Sequence, residues 1–406
     1  MKNKENRIIF HIDTNSAFLS WEAVHRLKMG NKVDLRTIPS VIGGNREKRH
    51  GVVLAKSIPA KKHNIKTGEP IVRALEKCPK LEIVPPNFDI YIKSSNDMFN
   101  ILKEYSPSIQ RYSIDEGFID CSGMEKTYGS TLEMANTIKN RIKNDLGFTV
   151  NIGIGNNKLL AKMASDFQKP DKVHTLFENE IKEKMWPLPI DKLFMVGKSS
   201  ASKLRELNIN TIGDLAAYDL DIIQYKFKKY GILIWKYANG IDESEIDEKR
   251  YIKMKGIGNS TTIPYDVRDK ETAYSILTSL VETVSMRLRD SKNLCTSVAV
   301  SIKNSSFKSY SHQCKLNCCT NSTDKILEVT KELFNEMWKG DPIRLLGVRV
   351  GHLSSNKITQ ISIFDNENIE KNIKLDSTID ELKFRYGKKS VMRGNVFKNR
   401  EKNELL

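Results

Sequence analysis

Long apolar runs and a secretory leader are both missing from this sequence of 406 residues. A membrane-spanning helix needs about 20 consecutive apolar residues, and the chain has no run of that length. Its first residues, MKNKENRIIFHID, are charged and pass into a short β-prone run, without the apolar stretch and cleavage site of a signal peptide. We therefore expect no membrane association and a cytoplasmic location.

Cysteine is also scarce. Six cysteines in a chain of this length do not make a disulfide framework. Four potential metal ligands cluster late in the chain, namely His312, Cys314, Cys318 and Cys319. They lack the paired C-x-x-C spacing of structural zinc sites and fall in an alternating stretch typical of a strand followed by a turn. A zinc site is one interpretation, but the spacing favours four buried or half-buried side chains.

Positive charge is what the chain has in excess, because 66 Lys and Arg residues against 50 Asp and Glu residues leave a net charge of +16. Such an excess favours a polyanionic partner, nucleic acid before an anionic membrane. A basic, well-solvated surface without a partner would give the same count. Charge therefore admits a nucleic-acid-binding protein without requiring one.

Short strands and helices alternate in the first part of the chain. The patterns predict strands at residues 7–12 and 148–154, two short strands flanking residues 113–116, and helices at residues 16–27, 91–105, 132–142 and 158–167. A basic stretch with several Gly and Pro residues, within 29–84, indicates a small separate lobe. We expect a mixed α/β core whose sheet brings Asp13 and Asp115 together.

The rest of the chain divides into four segments. Residues 179–243 have the pattern of a lysine-rich helical domain, and residues 244–251 that of an acidic, solvated linker. Residues 252–356 show the order β-α-β-β-α-β, which predicts a split βαβ sheet with helices on one face. Five residues would make its open face basic: Lys303, Lys308, Lys315, Arg344 and Arg349. The polar tail, residues 357–406, has one short periodic piece at 379–386 and is expected to be partly disordered.

Three acids stand at strand ends in this pattern. Asp13 ends the first strand, and Asp115 with Glu116 lies between two strand-like runs. Phosphoryl transfer to a nucleotide needs charge neutralisation and in-line positioning, which two Mg²⁺ ions about 4 Å apart can supply. Mg²⁺ takes hard oxygen ligands, so a few carboxylates suffice. On spacing alone, an Asp-Glu pair between strands is more often a plain turn.

Four segments resemble motifs of the Y-family DNA polymerases, the translesion enzymes, in their bacterial, Gram-positive form. The similar segments are residues 10–18 (FHIDTNSAF) with Glu22 for the opening palm motif, 51–70 (GVVLAKSIPAKKHNIKTGEP) for the fingers, 113–120 (SIDEGFID) for the central S-x-D-E motif, and 151–170 (NIGIGNNKLLAKMASDFQKP) for the segment closing the palm. The resemblance runs in order from residue 7 to about residue 355.

The resemblance implies a multidomain right-hand polymerase of the α/β (α+β) class. Its parts would be the palm (1–28 and 85–178), the fingers (29–84), a helical thumb (179–243), the acidic linker (244–251), a split βαβ little finger (252–356) and a tail (357–406). The implied activity is template-directed nucleotidyl transfer from a dNTP to a primer 3′-hydroxyl, with low fidelity and low processivity. The implied cofactor is a pair of Mg²⁺ ions, for which Mn²⁺ could substitute, and the implied partners of a monomeric enzyme are primer–template DNA and dNTPs.

The resemblance also implies roles for particular residues. Asp13, Asp115 and Glu116 would be catalytic and would bind the metals together with the Thr14 carbonyl. Phe18 would be the steric gate against a ribose 2′-hydroxyl, and Ser16, Lys61 and Lys169 would contact the nucleotide. In the thumb, residues 195–199 (MVGKS) resemble one helix-hairpin-helix, in which Gly197 and Lys203 would contact DNA phosphates. Without the motifs, Phe18 is an ordinary core residue, Lys169 a surface lysine and Gly197 a helix start.

Several positions depart from the family pattern. Asn15 stands where the family often has a second acid, which bears on the metal geometry. Ile58 and Lys61 stand where a Tyr and an Arg often clamp the triphosphate. Because Ile cannot hydrogen-bond and Lys cannot form a bidentate fork, we predict weaker nucleotide binding than in members with both residues. Ser199 takes the place of the second Gly of the hairpin.

One motif lies in the tail. Residues 360–364 (QISIF) resemble the peptide that bacterial polymerases insert into the sliding clamp. Two apolar side chains, Ile363 and Phe364, would fill a pocket, and Gln360 would orient them. The sequence therefore predicts a sliding clamp as a further partner.

Two other classes of protein remain open. A catalytically weak or inactive polymerase-like scaffold would grip DNA and the clamp, and the altered triphosphate clamp favours it. A basic DNA-binding module is the other, but it leaves the placement of Asp13, Asp115 and Glu116 unexplained. The enzyme is the hypothesis that the sequence favours.

Overall fold

The computed structural model describes residues 7–44, 51–248, 254–355, 369–387, 390–394 and 396. These residues form an N-terminal unit, made of 7–44 and 51–248, and a C-terminal unit made of the remainder. Within the described ranges, no helix combines the length and the apolar character that crossing a membrane requires.

The N-terminal unit contains eight named strands and ten α-helices. In chain order they are β1 (Ile9–Thr14), α1 (Ala17–Lys28), β2 (Ser40–Gly43), β3 (Val53–Lys56), α2 (Ile58–Lys62), α3 (Ile71–Lys77), β4 (Glu82–Val84), α4 (Phe88–Tyr105), β5 (Ile109–Arg111), β6 (Glu116–Asp120), α5 (Glu125–Tyr128), α6 (Thr131–Arg141), β7 (Val150–Gly155), α7 (Lys158–Ser165), β8 (Val173–Thr175), α8 (Lys198–Arg205), α9 (Ile212–Ala217) and α10 (Leu220–Ala238). These counts refer to the described residues.

The central sheet has five strands in the order β5-β6-β1-β7-β8. The central strand, β1, pairs antiparallel with β6 on one side and with β7 on the other. Its residues Ile9, Phe10 and Ile12 are all buried, because α4 and α6 cover one face of the sheet and α7 covers the other. The predicted mixed α/β core is therefore confirmed.

Helix α7 lies unusually close to the sheet. A Cβ atom at Gly153 of β7 would lie 2.0 Å from the Ala161 carbonyl oxygen and 2.3 Å from the Ser165 amide nitrogen. A Cβ atom at Gly155, two residues later, would lie 2.7 Å from Leu160 Cβ. Only glycine permits this approach, and it fixes how far the side chains of α7 reach over the sheet edge.

Residues 29–84 contain a small lobe with its own three-stranded sheet, in the order β3-β2-β4. Strand β2 is antiparallel to β3 and parallel to β4. Val41, Val53, Ile65 and Ile71 form the buried centre of the lobe, beneath α2 and α3. The lobe matches the separate lobe predicted from the sequence.

Helices α8 to α10 and several short helical turns form a third part of the N-terminal unit. Their apolar side chains share one core, which contains Leu193, Val196, Ala201, Leu204 and Ile234. Gly197 is the N-cap of helix α8, and its carbonyl accepts the Ala201 amide at 2.9 Å. The predicted helical domain is therefore present.

The sequence predicted an acidic, solvated linker at residues 244–251, of which residues 244–248 are described. Their acidic side chains are largely exposed, and their backbone is bound to other parts of the N-terminal unit. The Glu245 carbonyl accepts from Lys158 Nζ at 2.6 Å, and the Asp247 amide donates to Gln110 at 3.1 Å. Ile246 packs beside Ile9. One apolar residue among the acids gives the segment a place to dock.

The C-terminal unit contains four strands and three helices among its described residues, in the order β9 (Gly256–Val267), α11 (Lys270–Asp290), β10 (Cys295–Asn304), β11 (Ser309–Thr320), α12 (Thr323–Met337), β12 (Ile343–Gly351) and α13 (Ile369–Tyr386). The sheet order is β11-β10-β12-β9, with antiparallel neighbours. Because β12 lies between β9 and β10, the unit is the predicted split βαβ arrangement. Lys315 and Arg349 lie opposite Ser297 and Ala299 on the face away from the buried residues of β10.

The tail contains a longer helix than the sequence predicted. Helix α13 begins at Ile369, ten residues before the periodic piece at 379–386. It is bound to α11 through Arg289, whose guanidinium contacts Asp376 at 3.2 Å and Asp380 at 2.6 Å. The Thr323 amide, at the start of α12, also donates to Asp376 at 3.0 Å. This part of the tail is therefore held in place by ion pairs with Arg289, a residue far away in the sequence.

The cluster of His312, Cys314, Cys318 and Cys319 lies on β11. The three thiols are half-buried, as the sequence favoured, but His312 is exposed and pairs with Glu336 of α12 at 3.1 Å. The prediction of four buried or half-buried side chains was wrong for His312, because its strand position lies at the margin of the helical layer.

Candidate active site

Strand pairing brings the predicted acids to one edge of the central sheet. Asp13 lies directly opposite Glu116 in the β1–β6 ladder. The Thr14 amide donates to the Asp115 carbonyl at 3.0 Å, and this hydrogen bond holds Asp115 beside the end of β1. Asp13, Thr14, Asp115 and Glu116 therefore meet as the sequence predicted.

The turn that carries Asp115 and Glu116 is held from several sides. The Glu116 carbonyl accepts the amides of Tyr112 and Ser113, and the Ser95 hydroxyl of α4 donates to the Ile114 carbonyl at 2.5 Å. The Ser113 hydroxyl donates to Asp115 Oδ1 at 2.5 Å. The turn is thus built to present its carboxylates in one orientation.

Two lysines of the residues 158–170 stretch face these carboxylates. Lys162 Nζ, on α7, lies 2.5 Å from Glu116 Oε2 and 3.5 Å from Asp13 Oδ2. Lys169 Nζ lies 2.7 Å from Asp13 Oδ2 and 2.8 Å from Asp166 Oδ1. Lys169 was predicted here, whereas Lys162 was not. A lysine inside an amphipathic helix gives no sequence signal of its own, and only the close packing of α7 places it here.

Burial and like charge raise the pKa of the Asp115 carboxyl above its usual range, the repulsion coming from Asp13 and Glu116, although the Ser113 hydrogen bond opposes them. Burial would also raise the pKa of Glu116, but contact with His11 and the charge of Lys162 outweigh it and lower that pKa to about 2. The site is therefore a crowded negative pocket that needs cations.

His11 lies behind Glu116, fully buried. Its Nε2 is 3.2 Å from Glu116 Oε2, within ion-pair distance but not aligned as a hydrogen bond, and its Nδ1 is 2.8 Å from the Ser165 hydroxyl. Burial lowers the pKa of His11, against the opposing effect of Glu116. The Lys162 ammonium is the closer cation to Glu116, at 2.5 Å.

The donor set suits a hard divalent metal. Carboxylates of Asp13, Asp115 and Glu116 and the neighbouring Thr14 carbonyl are oxygen donors at one strand edge, which is the ligand type of Mg²⁺. In the described part of the chain, no three His, Cys, Asp or Glu side chains already enclose a single metal position. At this site the ammonium groups of Lys162 and Lys169 lie against Glu116 and Asp13. The oxygen donors fit a divalent metal by their chemistry. In this structure the ammonium groups of Lys162 and Lys169 balance the negative charge of the carboxylates.

A cleft of about 500 Å³ lies beside the acids, between the central sheet and the small lobe. Its lining includes Asp13, Thr14, Ser16, Phe18, Lys61, Asp115 and Lys169 among the predicted site residues. Glu116 lies behind this lining. The volume is in the range of small-molecule sites, so the cleft can hold a nucleotide.

Three basic residues besides Lys169 line the cleft. Lys61 was predicted from the sequence, whereas Lys56 and Arg36 were missed. Burial lowers the pKa of Lys56, and repulsion from Lys61 lowers it further. Arg36 is engaged by Asp34 and by the Gly147 carbonyl, at 2.7 Å. Exposed Ile58 lines the wall beside Lys61. Ile58 is the residue that stands where the family often has a hydrogen-bonding Tyr.

Phe18 lies on the cleft floor and is supported by other rings. It stacks on Tyr91 with a centroid distance of 4.8 Å and an interplanar angle of 10°. Phe88 contacts it edge-on at 5.9 Å. The ring also lines the cleft, and it cannot swing aside without losing these contacts.

Ser16 precedes α1 with a positive φ of 49°, a conformation that is uncommon outside glycine. Its side chain makes no capping bond to α1, and the residue lines the cleft with the first turn of the helix. Asn15 also belongs to the cleft lining, but it is only 8% exposed and its side chain is hydrogen-bonded to Asn151 and Thr149. The side chain at this departure from the family pattern is thus bound to protein groups.

The remaining predicted residues lie elsewhere. Gly197 is exposed at the start of α8, where a Cβ would meet open space, and Lys203 is exposed on the same helix. Ser199 lies in the first turn of that helix. Gln360, Ile363 and Phe364 lie outside the described residues.

Profiles of known families match three stretches of the chain. Residues 12–166 match the impB/mucB/samB family, residues 254–363 match its C-terminal domain, and residues 191–242 match a thumb domain described for DNA polymerase iota. These stretches cover most of the chain and follow the palm, thumb and little-finger order expected from the sequence.

Curated relatives match along nearly the whole length. DNA polymerase IV of Clostridium acetobutylicum is 51% identical over 401 residues, covering 98% of this chain and 100% of the relative. DNA polymerase IV of Acetivibrio thermocellus is 36% identical, covering 98% and 100%. DNA polymerase IV 2 of Bacillus subtilis is 35% identical, covering 96% and 94%.

Solved structures share the fold. A Y-family DNA polymerase chimera matches with a TM-score of 0.74 at 23% identity, covering 86% of this chain and 100% of the other. DinB from Sulfolobus solfataricus matches with a TM-score of 0.55 at 24% identity, covering 85% and 98%. From the family profiles and the curated relatives, the chain belongs to the impB/mucB/samB family of Y-family DNA polymerases.

Proposed function

We propose that the chain is a DNA-directed DNA polymerase for translesion synthesis, which extends a primer 3′-hydroxyl with dNTPs at low fidelity and low processivity. The observation that carries this proposal is the meeting of Asp13, Asp115 and Glu116 at one sheet edge, beside a cleft of nucleotide size. Family membership supports the same activity, as do the names of the curated relatives.

Asp13, Asp115, Glu116 and the Thr14 carbonyl would hold two Mg²⁺ ions. Bound there, such ions neutralise charge on the triphosphate and favour the alkoxide form of the primer hydroxyl. Mn²⁺ prefers similar oxygen ligands and could substitute. The low pKa of Glu116 keeps that carboxylate ionised and available.

The cleft residues would position the dNTP. Lys61 on the lobe and Lys169 on the opposite wall supply point charges for the phosphates. Ser16 and the start of α1 offer backbone and hydroxyl donors next to them. The Phe18 ring, held by Tyr91, would lie where a ribose 2′-hydroxyl must pass.

Primer–template DNA, a clamp and the cell compartment complete the proposal. Exposed Gly197 and Lys203 would contact phosphates without reading sequence. Gln360, Ile363 and Phe364 would bind a sliding clamp. The enzyme would act as a monomer in the cytoplasm, where bacterial DNA and dNTPs are found.

A non-catalytic scaffold is the second candidate. It is favoured by Ile58 and Lys61, which weaken the predicted hold on the triphosphate. The acids and the cleft favour the enzyme, because a scaffold needs neither crowded carboxylates nor a nucleotide-sized cleft.

Primer extension distinguishes the two candidates. The wild-type chain with Mg²⁺, dNTPs and primed undamaged DNA should give short, distributive products, and the Asp115→Ala, Glu116→Ala variant should give none. A set of damaged templates should include at least one that the wild type passes and that a high-fidelity polymerase does not. DNA binding without extension in both proteins would favour the scaffold.

Clamp binding has its own test. Phe364→Ala should abolish binding to a bacterial sliding clamp and leave distributive synthesis intact, whereas Ser362→Ala, at an undemanding position of the same motif, should bind as the wild type does. Equal clamp affinity of the wild type and Phe364→Ala would remove the clamp from the proposal.

A further inference from the structure

Two buried asparagines face each other across β1 and β7. Asn15 is 8% exposed and Asn151 is fully buried. Asn15 Nδ2 donates to Asn151 Oδ1 at 3.1 Å. Buried amides are stable only when their donors and acceptors are satisfied, so the remaining partners of this pair show what it holds.

Those partners are mostly main-chain groups of one segment, residues 165–172, which we name the Lys169 loop. Asn151 Nδ2 donates to the carbonyls of Ser165 at 3.1 Å and Gln168 at 2.7 Å. Asn151 Oδ1 accepts the Lys172 amide at 3.3 Å, and Asn15 Oδ1 accepts the Asp171 amide at 2.9 Å. Four main-chain hydrogen bonds from two side chains therefore fix the loop on both sides of Lys169.

The network also fixes the orientation of each amide. Turning the Asn151 amide over would set its oxygen against two carbonyls, and turning the Asn15 amide over would set its nitrogen against the Asp171 amide. Asn15 Oδ1 additionally accepts from the Thr149 hydroxyl at 2.9 Å. With both polar atoms of Asn15 bound to protein, its side chain is committed to the loop and not to a metal.

The Lys169 loop places the Lys169 side chain in the cleft. Lys169 lies in the cleft wall, with Nζ 2.7 Å from Asp13 Oδ2. The other side of the loop is anchored by Asp171, which pairs with Lys139 at 3.2 Å and Lys143 at 2.8 Å. The asparagines are the anchors on the sheet side, directly beneath Lys169.

We propose that Asn15 and Asn151 are a positioning pair that sets the Lys169 ammonium against the phosphates of the incoming dNTP. This inference rests on the proposed polymerase function. Both asparagines would act through Lys169, because the polar atoms of their side chains are bound to protein groups. Asn15 therefore holds the Lys169 loop in place, whereas an acid at the same position would suggest a metal ligand.

The test is a double-mutant cycle in the full chain, with KM and Kd for a complementary dNTP measured on primed DNA. Asn15→Asp keeps the oxygen that accepts from the Asp171 amide and the Thr149 hydroxyl, but it replaces the donor Nδ2 by an oxygen that faces Asn151 Oδ1. We expect it to raise KM and Kd about tenfold, with a smaller change in kcat. In a Lys169→Ala background the same substitution should change neither constant. Asn15→Ser, which loses the contacts without adding charge, should behave alike.

Asn157→Asp is the matched control, because Asn157 is also 8% exposed and donates from Nδ2 to a buried carbonyl, that of Gly240 at 2.8 Å. It should lower the unfolding temperature without raising KM. An equal effect of Asn15→Asp with and without Lys169 would overturn the positioning pair, as would a lowered Mg²⁺ requirement or an unchanged KM in Lys169→Ala. A wild type that neither binds nor incorporates dNTPs would overturn the polymerase proposal as well.

Discussion

At the scale of single residues, Phe18 offers a prediction about sugar choice. Its ring lines the cleft and is held by Tyr91 and Phe88. Phe18→Val shortens the side chain and opens space for a 2′-hydroxyl, so we expect discrimination between dCTP and CTP to fall at least about tenfold. The measurement is the ratio of kcat/KM for the two nucleotides.

Phe88→Leu is the control for this change. Phe88 belongs to the same ring cluster but not to the cleft lining. It should alter stability and leave sugar selectivity close to that of the wild type. Unchanged selectivity in Phe18→Val would remove Phe18 from the gate.

Lys162 gives a second prediction at this scale. Its ammonium is 2.5 Å from Glu116 and 3.5 Å from Asp13, so it competes with cations for both carboxylates. Lys162→Met should therefore lower the Mg²⁺ concentration for half-maximal incorporation severalfold. Lys184→Met, which removes a lysine paired with Glu180 away from the site, should leave it unchanged. An increased Mg²⁺ requirement in Lys162→Met would show that this lysine supports the metal site in another way.

At the scale of secondary-structure elements, the contact between α7 and β7 is the tightest part of the site. Gly153→Ala would place a Cβ 2.0 Å from the Ala161 carbonyl oxygen, so α7 must move and carry Lys162 with it. We expect a loss of about 1–3 kcal/mol in the free energy of unfolding and reduced incorporation by the folded protein. Gly394→Ala, where the added atom meets open space, should unfold as the wild type does. Equal denaturation curves for Gly153→Ala and wild type would contradict the packing.

The docking of α13 gives a second prediction for elements. Arg289 is 14% exposed and pairs with Asp376 and Asp380. Arg289→Met leaves the buried Asp376 without its cation and should destabilise the docked helix by about 3 kcal/mol. Hydrogen exchange of residues 369–386 should accelerate accordingly. Arg385→Met, which breaks an exposed pair with Glu381 on the same helix, should have little effect, and similar exchange in both variants would contradict the docking.

At the scale of the whole molecule, the order of strands and helices could be predicted because each part of the chain has a regular pattern of apolar residues. Alternation and helical periodicity predicted the central sheet and the split βαβ unit, whose core residues repeat along each element. Helix α13 was underestimated because its order depends on Arg289, about 90 residues earlier in the chain. The docking of the acidic segment depends in the same way on distant Lys158 and Gln110.

The site residues that belong to a sequence motif could be predicted. The residues that tertiary packing brings to the site could not. Asp13, Asp115 and Glu116 could be named from strand ends and the family resemblance. Lys162 could not, since its place follows from the close approach of α7 to Gly153. The partners of Asn15 likewise required the pairing of β1 with β7, which no local pattern reports.

We propose that three carboxylates at one sheet edge make this chain a metal-dependent polymerase. Single-turnover incorporation of one complementary dNTP into primed DNA tests this proposal most directly, comparing the wild type with the near-isosteric Asp115→Asn, Glu116→Gln variant. We expect DNA affinity within about twofold of the wild type and a rate at least about a thousandfold lower in the variant. A variant that incorporates at the wild-type rate would contradict the assignment of these carboxylates to catalysis.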